Sequence, residues 1–152
     1  MMGFFRNLFS CRRRKKKKVE FISIDNYQNW AKIEQEIYNL MNTYRFAHGK
    51  SMLQSDYFCR EQAKIRTFYC ISVQHATHEQ YGVIVKNGKA VGLEKIAENL
   101  AYGYYSSAGT VNAFKNSSPH SINILKDDWK YTGVSVQEDE MGRKYVCVTF
   151  AK

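Results

Sequence analysis

Apolar residues along this chain fall into a few periodic stretches, and each stretch predicts an element. Trp30, Ile33, Ile37, Leu40, Met41 and Tyr44 recur at three- and four-residue steps, which is one face of a helix. The stretch ends near His48-Gly49, where glycine suits a helix stop. Asn42 and Arg45 fall on or beside that face. A second helix is predicted over roughly 56–73, capped by Ser55, with Phe58, Cys59, Ala63 and Cys70 turned inward. QHATHEQYGVIVKNGKAVG reads as a loop with a turn signal at Asn87-Gly88. LEKIAEN reads as a short helical turn and LAYGYY as a strand weakened by Gly103. SAGTVNAFKN reads as a helix with Val111 and Phe114 on one side. Ser117 caps a further turn, SPHSINIL, whose Pro119 is tolerated in a first turn. Two alternating segments close the chain. Val134 and Val136 share a face in the first, and Val146, Val148 and Phe150 share one in the second. EDEMGR between them, with Gly142, is a hairpin loop. Two long helices, a turn-rich middle and a hairpin make an α+β fold, with helices packed on a mainly antiparallel sheet.

Length and composition sharpen this picture. At 152 residues the chain is one domain, and 44% hydrophobic residues suffice for a real core. A single proline, nine glycines and no internal period argue against a disordered or repeat protein. The net charge of +9 is concentrated: Arg6, Arg12–Arg14 and Lys15–Lys18 lie in residues 1–18, which contain no acid. Without them, 15 basic residues face 14 acidic ones. The expected organisation is therefore a polybasic tail (1–18), a linker (19–29) and a domain (30–152). A nucleic-acid-binding domain would carry its charge on the folded face. The tail runs apolar first and basic second, the reverse of a secretory signal, and no span approaches membrane-crossing length. Phe4, Phe5, Leu8 and Phe9 beside the basic run suit an anionic membrane surface, with Cys11 as an acylation candidate. Gly3 matches the myristoylation pattern only weakly, because Asn7 stands where Ser or Thr belongs. The alternatives are a solvated arm or a nucleic-acid-binding or nuclear-import signal. Localisation stays open between membrane-peripheral and secreted.

Candidate chemistry is confined to few residues. His78, Glu98 and His120, with His75 near the first, come from separate segments that can converge. Two imidazoles and a carboxylate can bind zinc, or supply a base and its electrostatic partner. A lone histidine is more often structural, and a Glu before Asn more often braces a loop. No nucleophile elbow, phosphate-cradling glycine loop or Walker-type lysine is present. Cys11, Cys59, Cys70 and Cys147 have no zinc spacing. Cys59 and Cys70, eleven apart on one helix, would sit about 16 Å from each other, too far for a disulfide. Cys147 can pair with either, or all three can be small buried hydrophobes.

The order of these parts resembles the CAP superfamily: cysteine-rich secretory, antigen 5 and pathogenesis-related 1 proteins, and their bacterial SCP-like relatives. IYNLMNTYRFAHGKSML resembles the first helix, with its Asn-x-x-Arg step at Asn42 and Arg45, and QSDYFCREQAKI the second. THEQY resembles a bacterial SHDNF-like motif and selects His78 over His75. IAENLAYGY resembles the motif that supplies Glu98 and a structural Asn99, and FKNSSPHSINIL runs in register with WLNSPGHRKNIL, giving His120. YTGVSV and KYVCVTF resemble the last two strands. Phe114, Ser118-Pro119, Ser121 and Thr149 depart from the usual residues. Residues 104–113 hold no Asp or Glu for the family's second acid. A site of two His and one carboxylate would have to complete a metal shell with water. The resemblance implies a three-layer α-β-α sandwich with His78, Glu98 and His120 in a central cleft. It implies binding of a small lipid- or sterol-like ligand, a peptide, or weakly a divalent metal (Zn or Mg) at His78 and His120, with Glu98 a further ligand or a brace. The leading expectation is a non-enzymatic binding protein held at a membrane by its tail. The alternatives are a metal- or His/Glu-dependent hydrolase, and nucleic-acid binding through the basic arm.

Overall fold

The structure is a computed structural model and describes residues 31–104 and 106–152. The tail and linker expected over 1–29 lie outside those residues. The elements are α1 (Lys32–Ala47), β1 (Gln54–Ser55), α2 (Tyr57–Ser72), α3 (Tyr81–Ala90), β2 (Ile96–Tyr102), α4 (Ser107–Asn116), α5 (Ser118–Leu125), β3 (Tyr131–Glu138) and β4 (Lys144–Ala151). The sheet order is β1-β3-β4-β2. β3 and β2 both pair antiparallel with β4, while the two-residue β1 runs parallel to β3, so the sheet is mixed by that one short strand.

Alternation along the strands builds the three layers. Val134 of β3, Val146, Val148 and Phe150 of β4, and Ala101 of β2 pack with Ile37 and Met41 of α1, Val111 and Phe114 of α4, and Ile124 of α5. The intervening residues face the other way. Tyr145 and Cys147 of β4 and Leu100 of β2 meet Ala63 and Cys70 of α2, while Ile96 and Ala151 meet Cys59 and Ile84 of α2 and α3. α2 lies on the strands so closely that a Cβ at Gly133 would sit 2.1 Å from the Arg60 backbone nitrogen. Only glycine fits there. On β3, Glu34 of α1 accepts from the Val136 backbone N–H (2.9 Å) and pairs with Arg60 of α2 (3.2 Å). β1 pairs only with Tyr131 and Thr132, so that carboxylate closes an otherwise open stretch of β3 edge.

Four local expectations change. The segment read as a loop contains α3, because Asn87 and Gly88 serve tertiary contacts instead of a turn. Asn87 donates to Gln62 (2.7 Å), and buried Gly88 lets Leu93 and Ile96 approach. LEKIAEN contributes the start of β2, since ladder bonds to β4 outweigh its helical propensity; Gly103, at φ +82°, follows the strand's end. The α2 cap is Asp56, whose carboxylate accepts from Cys59 N–H (2.9 Å), not Ser55. Ser117 precedes α5 without a side-chain capping bond. Cys59, Cys70 and Cys147 are free and buried.

Candidate functional site

The site forms where β2 passes between α2 and α5. Strand alternation sends Glu98 and Asn99 to opposite faces. Asn99 donates to the His120 carbonyl (3.0 Å) and accepts from Asn123 (3.0 Å), whose own carbonyl takes the Trp129 indole N–H (2.9 Å). One buried amide thus fixes α5, and His120 with it, against the strand. Asn42 and Arg45 do comparable work further off. Asn42 pairs with the Leu53 backbone in both directions (3.1 and 2.8 Å). Arg45, fully buried, donates to the carbonyls of Ser51, Ile124 and Lys126. Neither bonds to the three candidates; both hold elements of the scaffold that carries them.

Glu98 points toward α2, where its side chain is 1% exposed. Arg66 meets it with two bonds: Nε to Oε2 at 2.7 Å and a terminal nitrogen to Oε1 at 3.2 Å. The same terminal nitrogen donates to the Thr77 carbonyl at 2.7 Å, tying down the segment between α2 and α3. His78 lies one residue on, and its Nδ1 is 2.9 Å from Glu98 Oε1. A carboxylate accepts, so His78 Nδ1 carries the hydrogen of this bond and Nε2 is turned away from Glu98. His78 is 62% exposed, so that nitrogen belongs to the open side of the site. Left-handed Gln74 and Gln80 bracket the segment. His75 lies in the turn that closes α2, its N–H on the Cys70 carbonyl and its side chain exposed; it is His78 that bonds Glu98.

His120 is half-buried and packs edge-on against Phe114, ring centroids 5.1 Å apart. Burial first, and the nearby His78 second, push its pKa below the ordinary imidazole value, so it is neutral near neutral pH. Burial works to lower the Arg66 pKa, but the hydrogen bond and charge of Glu98 outweigh it and raise it. Cys147 Sγ lies 4.0 Å from Glu98, and burial with the Glu98 charge pushes its thiol well above the usual range. It is no nucleophile.

His78 and Glu98 are thus in direct contact, while His120 is held on α5 by Asn99 and lies near enough to His78 to feel its charge. Both Glu98 oxygens are engaged, and among the described residues no group of three or more His, Cys, Asp or Glu forms a metal cluster. This donor set does not fit a tightly held divalent metal. Arg66 is the residue that sequence reasoning missed. Its signal was present: it lies on the inward stripe Cys59, Ala63, Arg66, Cys70, and a charge there requires a buried partner. A separate cavity of about 700 Å³, lined by residues including Met52, Glu94, Asp128 and Trp129, contains none of the three.

Fold and site together define a class: an α-β-α sandwich whose edge strand β2 carries a buried glutamate bonded to a histidine. The chain belongs to the CAP family, the cysteine-rich secretory proteins, whose family model matches residues 38–150. It is 28% identical over 134 residues to the uncharacterized membrane protein YlbC of Bacillus subtilis (strain 168), covering 82% of this chain. It spans 37% of the length of that relative. Among solved structures, an extracellular SCP-domain protein of Bacillus anthracis superposes with a TM-score of 0.70 at 22% identity, covering 78% of this chain and 40% of that one. An outer surface protein of Borrelia burgdorferi gives 0.69 at 21%, covering 76% and 89%. These likenesses establish the fold. No helix among the described residues is long and apolar enough to cross a membrane.

Proposed function

We propose that this chain is a binding module whose cleft takes the polar head of a small lipid-like ligand, and that its basic tail holds it at an anionic membrane. The observation that carries the reading is the orientation of His78. Glu98, itself locked by Arg66, accepts from His78 Nδ1 and so turns Nε2 outward, with His120 near enough to feel the charge of His78. Two imidazoles on a rigid base can each exchange a hydrogen bond with a hydroxyl, carbonyl or ester group. The exposed Tyr102 and Tyr104 follow on the same strand and the turn after it, and supply apolar surface. The membrane part rests on the apolar-basic order of residues 1–18 and on the relative named as a membrane protein.

The test uses full-length protein with vesicles of phosphatidylserine and phosphatidylcholine. Sedimentation should require residues 1–18, and mass spectrometry of recovered protein should find lipid that is lost in His78→Ala/His120→Ala. Equal lipid recovery from that variant would remove the cleft from the reading. Binding of duplex DNA by the full chain, steeply weakened by salt and absent after truncation, would instead support the nucleic-acid alternative. A hydrolase reading has one observation in its favour, because His78 on Glu98 is also how a general base is oriented. Turnover of a broad peptide-substrate set, abolished by His78→Ala, would favour it.

A further inference from the structure

We infer that Arg66 is the resident cation of this site: its guanidinium holds the Glu98 carboxylate in a buried fork, and the cleft works without a divalent metal. The inference rests on the cleft being the binding site. The family likeness leads to an expectation of a weakly held metal at His78 and His120 with Glu98 as a ligand or a brace, and Glu98 is not available as the ligand. Both Glu98 oxygens already accept from Arg66, at 2.7 and 3.2 Å, and one also accepts from His78. Each side chain of the Arg66–Glu98 pair is 1% exposed, so water does not screen their charges. A metal drawing on Glu98 would have to displace a guanidinium that cannot leave. Arg66 is also held by the Thr77 carbonyl (2.7 Å) on the segment that carries His78, and α2 is packed against the sheet around it. Without moving it, a divalent cation at His78 would gain no net negative charge from Glu98, because Arg66 already neutralises that carboxylate. The missing acid between residues 104 and 113 fits this arrangement, since a site with a built-in cation has no use for a second negative ligand. Arg66 is thus a positioning residue. It orients Glu98, which orients His78, and it sets the local charge so that the imidazoles meet a neutral or anionic head group instead of a metal.

Calorimetric titration of the full-length protein with zinc chloride tests this, alongside His-ring NMR spectra. Wild type should give a titration no different from His78→Ala/His120→Ala, and its His78 and His120 ring signals should not move. Arg66→Gln should gain zinc affinity by at least about tenfold, because the carboxylate is released as a ligand, and adding Glu98→Gln should abolish the gain. Arg66→Lys, which keeps a cation, should stay zinc-blind. Histidine-dependent zinc binding by wild type overturns the inference, as does a folded Arg66→Gln that binds no more tightly than wild type. Should Arg66→Gln fail to fold, the wild-type and Arg66→Lys titrations still decide. Lipid recovery is measured without touching Arg66, so loss of lipid capture with zinc silence intact breaks only the earlier reading. Zinc binding with lipid capture intact breaks only this one.

Discussion

At the residue scale, the site depends on a charge pair that is costly to halve. Glu98→Gln or Arg66→Met alone leaves one buried charge without its partner, so each should destabilise the fold by about 3–5 kcal/mol. Replacing both by apolar residues of similar volume should recover most of that loss, which a double-mutant cycle in urea reads directly; additive losses would mean that the pair is not coupled. His120 makes a prediction in pH. Its pKa is depressed by burial and then by His78, so the unfolded chain binds more protons as pH falls through about 6.5. Stability attributable to a neutral His120 is therefore fully present above that value and is lost progressively below it. Urea midpoints compared at about pH 7 and pH 5 should fall, and His120→Gln should flatten part of the fall. An unchanged slope would assign the acid sensitivity to other groups.

At the scale of elements, α2 is the part most tightly committed. Its N-terminus is capped by Asp56, its inward face carries Arg66, and its backbone lies against Gly133. Gly133→Ala would place a methyl 2.1 Å from a backbone nitrogen that has no freedom to yield. It should destabilise by about 3 kcal/mol or more, whereas Asp56→Ala should lose only about 1 kcal/mol. Thermal melts of the two variants should rank in that order. A mild effect at Gly133 would mean that α2 can lift from the sheet, and the geometry of Arg66 would then be softer than described. β2 shows why its register matters for the site. Glu98 pairs with Thr149 and Asn99 with Val148 across the ladder. A slip of one residue would exchange their faces, breaking the Arg66 fork and the α5 anchor together.

At the scale of the whole molecule, charge and fold separate. Residues 1–18 carry eight of the 23 basic residues and no acid, while the rest of the chain is nearly balanced. Deleting them should leave the unfolding midpoint of the domain unchanged while removing vesicle binding; a lower midpoint would mean that the tail contributes to the domain. The sequence by itself determined the helices α1, α2 and α4 and the closing hairpin, because the apolar positions in each fall on one face of a single element type. The motif runs around Glu98 and His120, matched to the family, singled out candidate residues, and of these the structure bonds His78 to Glu98. The sequence failed at α3 and the start of β2, where the local signals, an Asn-Gly pair and a helix-prone run, are weak. There, contacts to Gln62, Leu93 and β4 decided the outcome. Only the tertiary structure could bring Arg66, 32 residues away in sequence, onto Glu98. Periodicity reports which face a residue occupies, but a buried charge takes its meaning from the partner that the packing of another element delivers. That partner makes Glu98 one half of a buried ion pair that also accepts from His78.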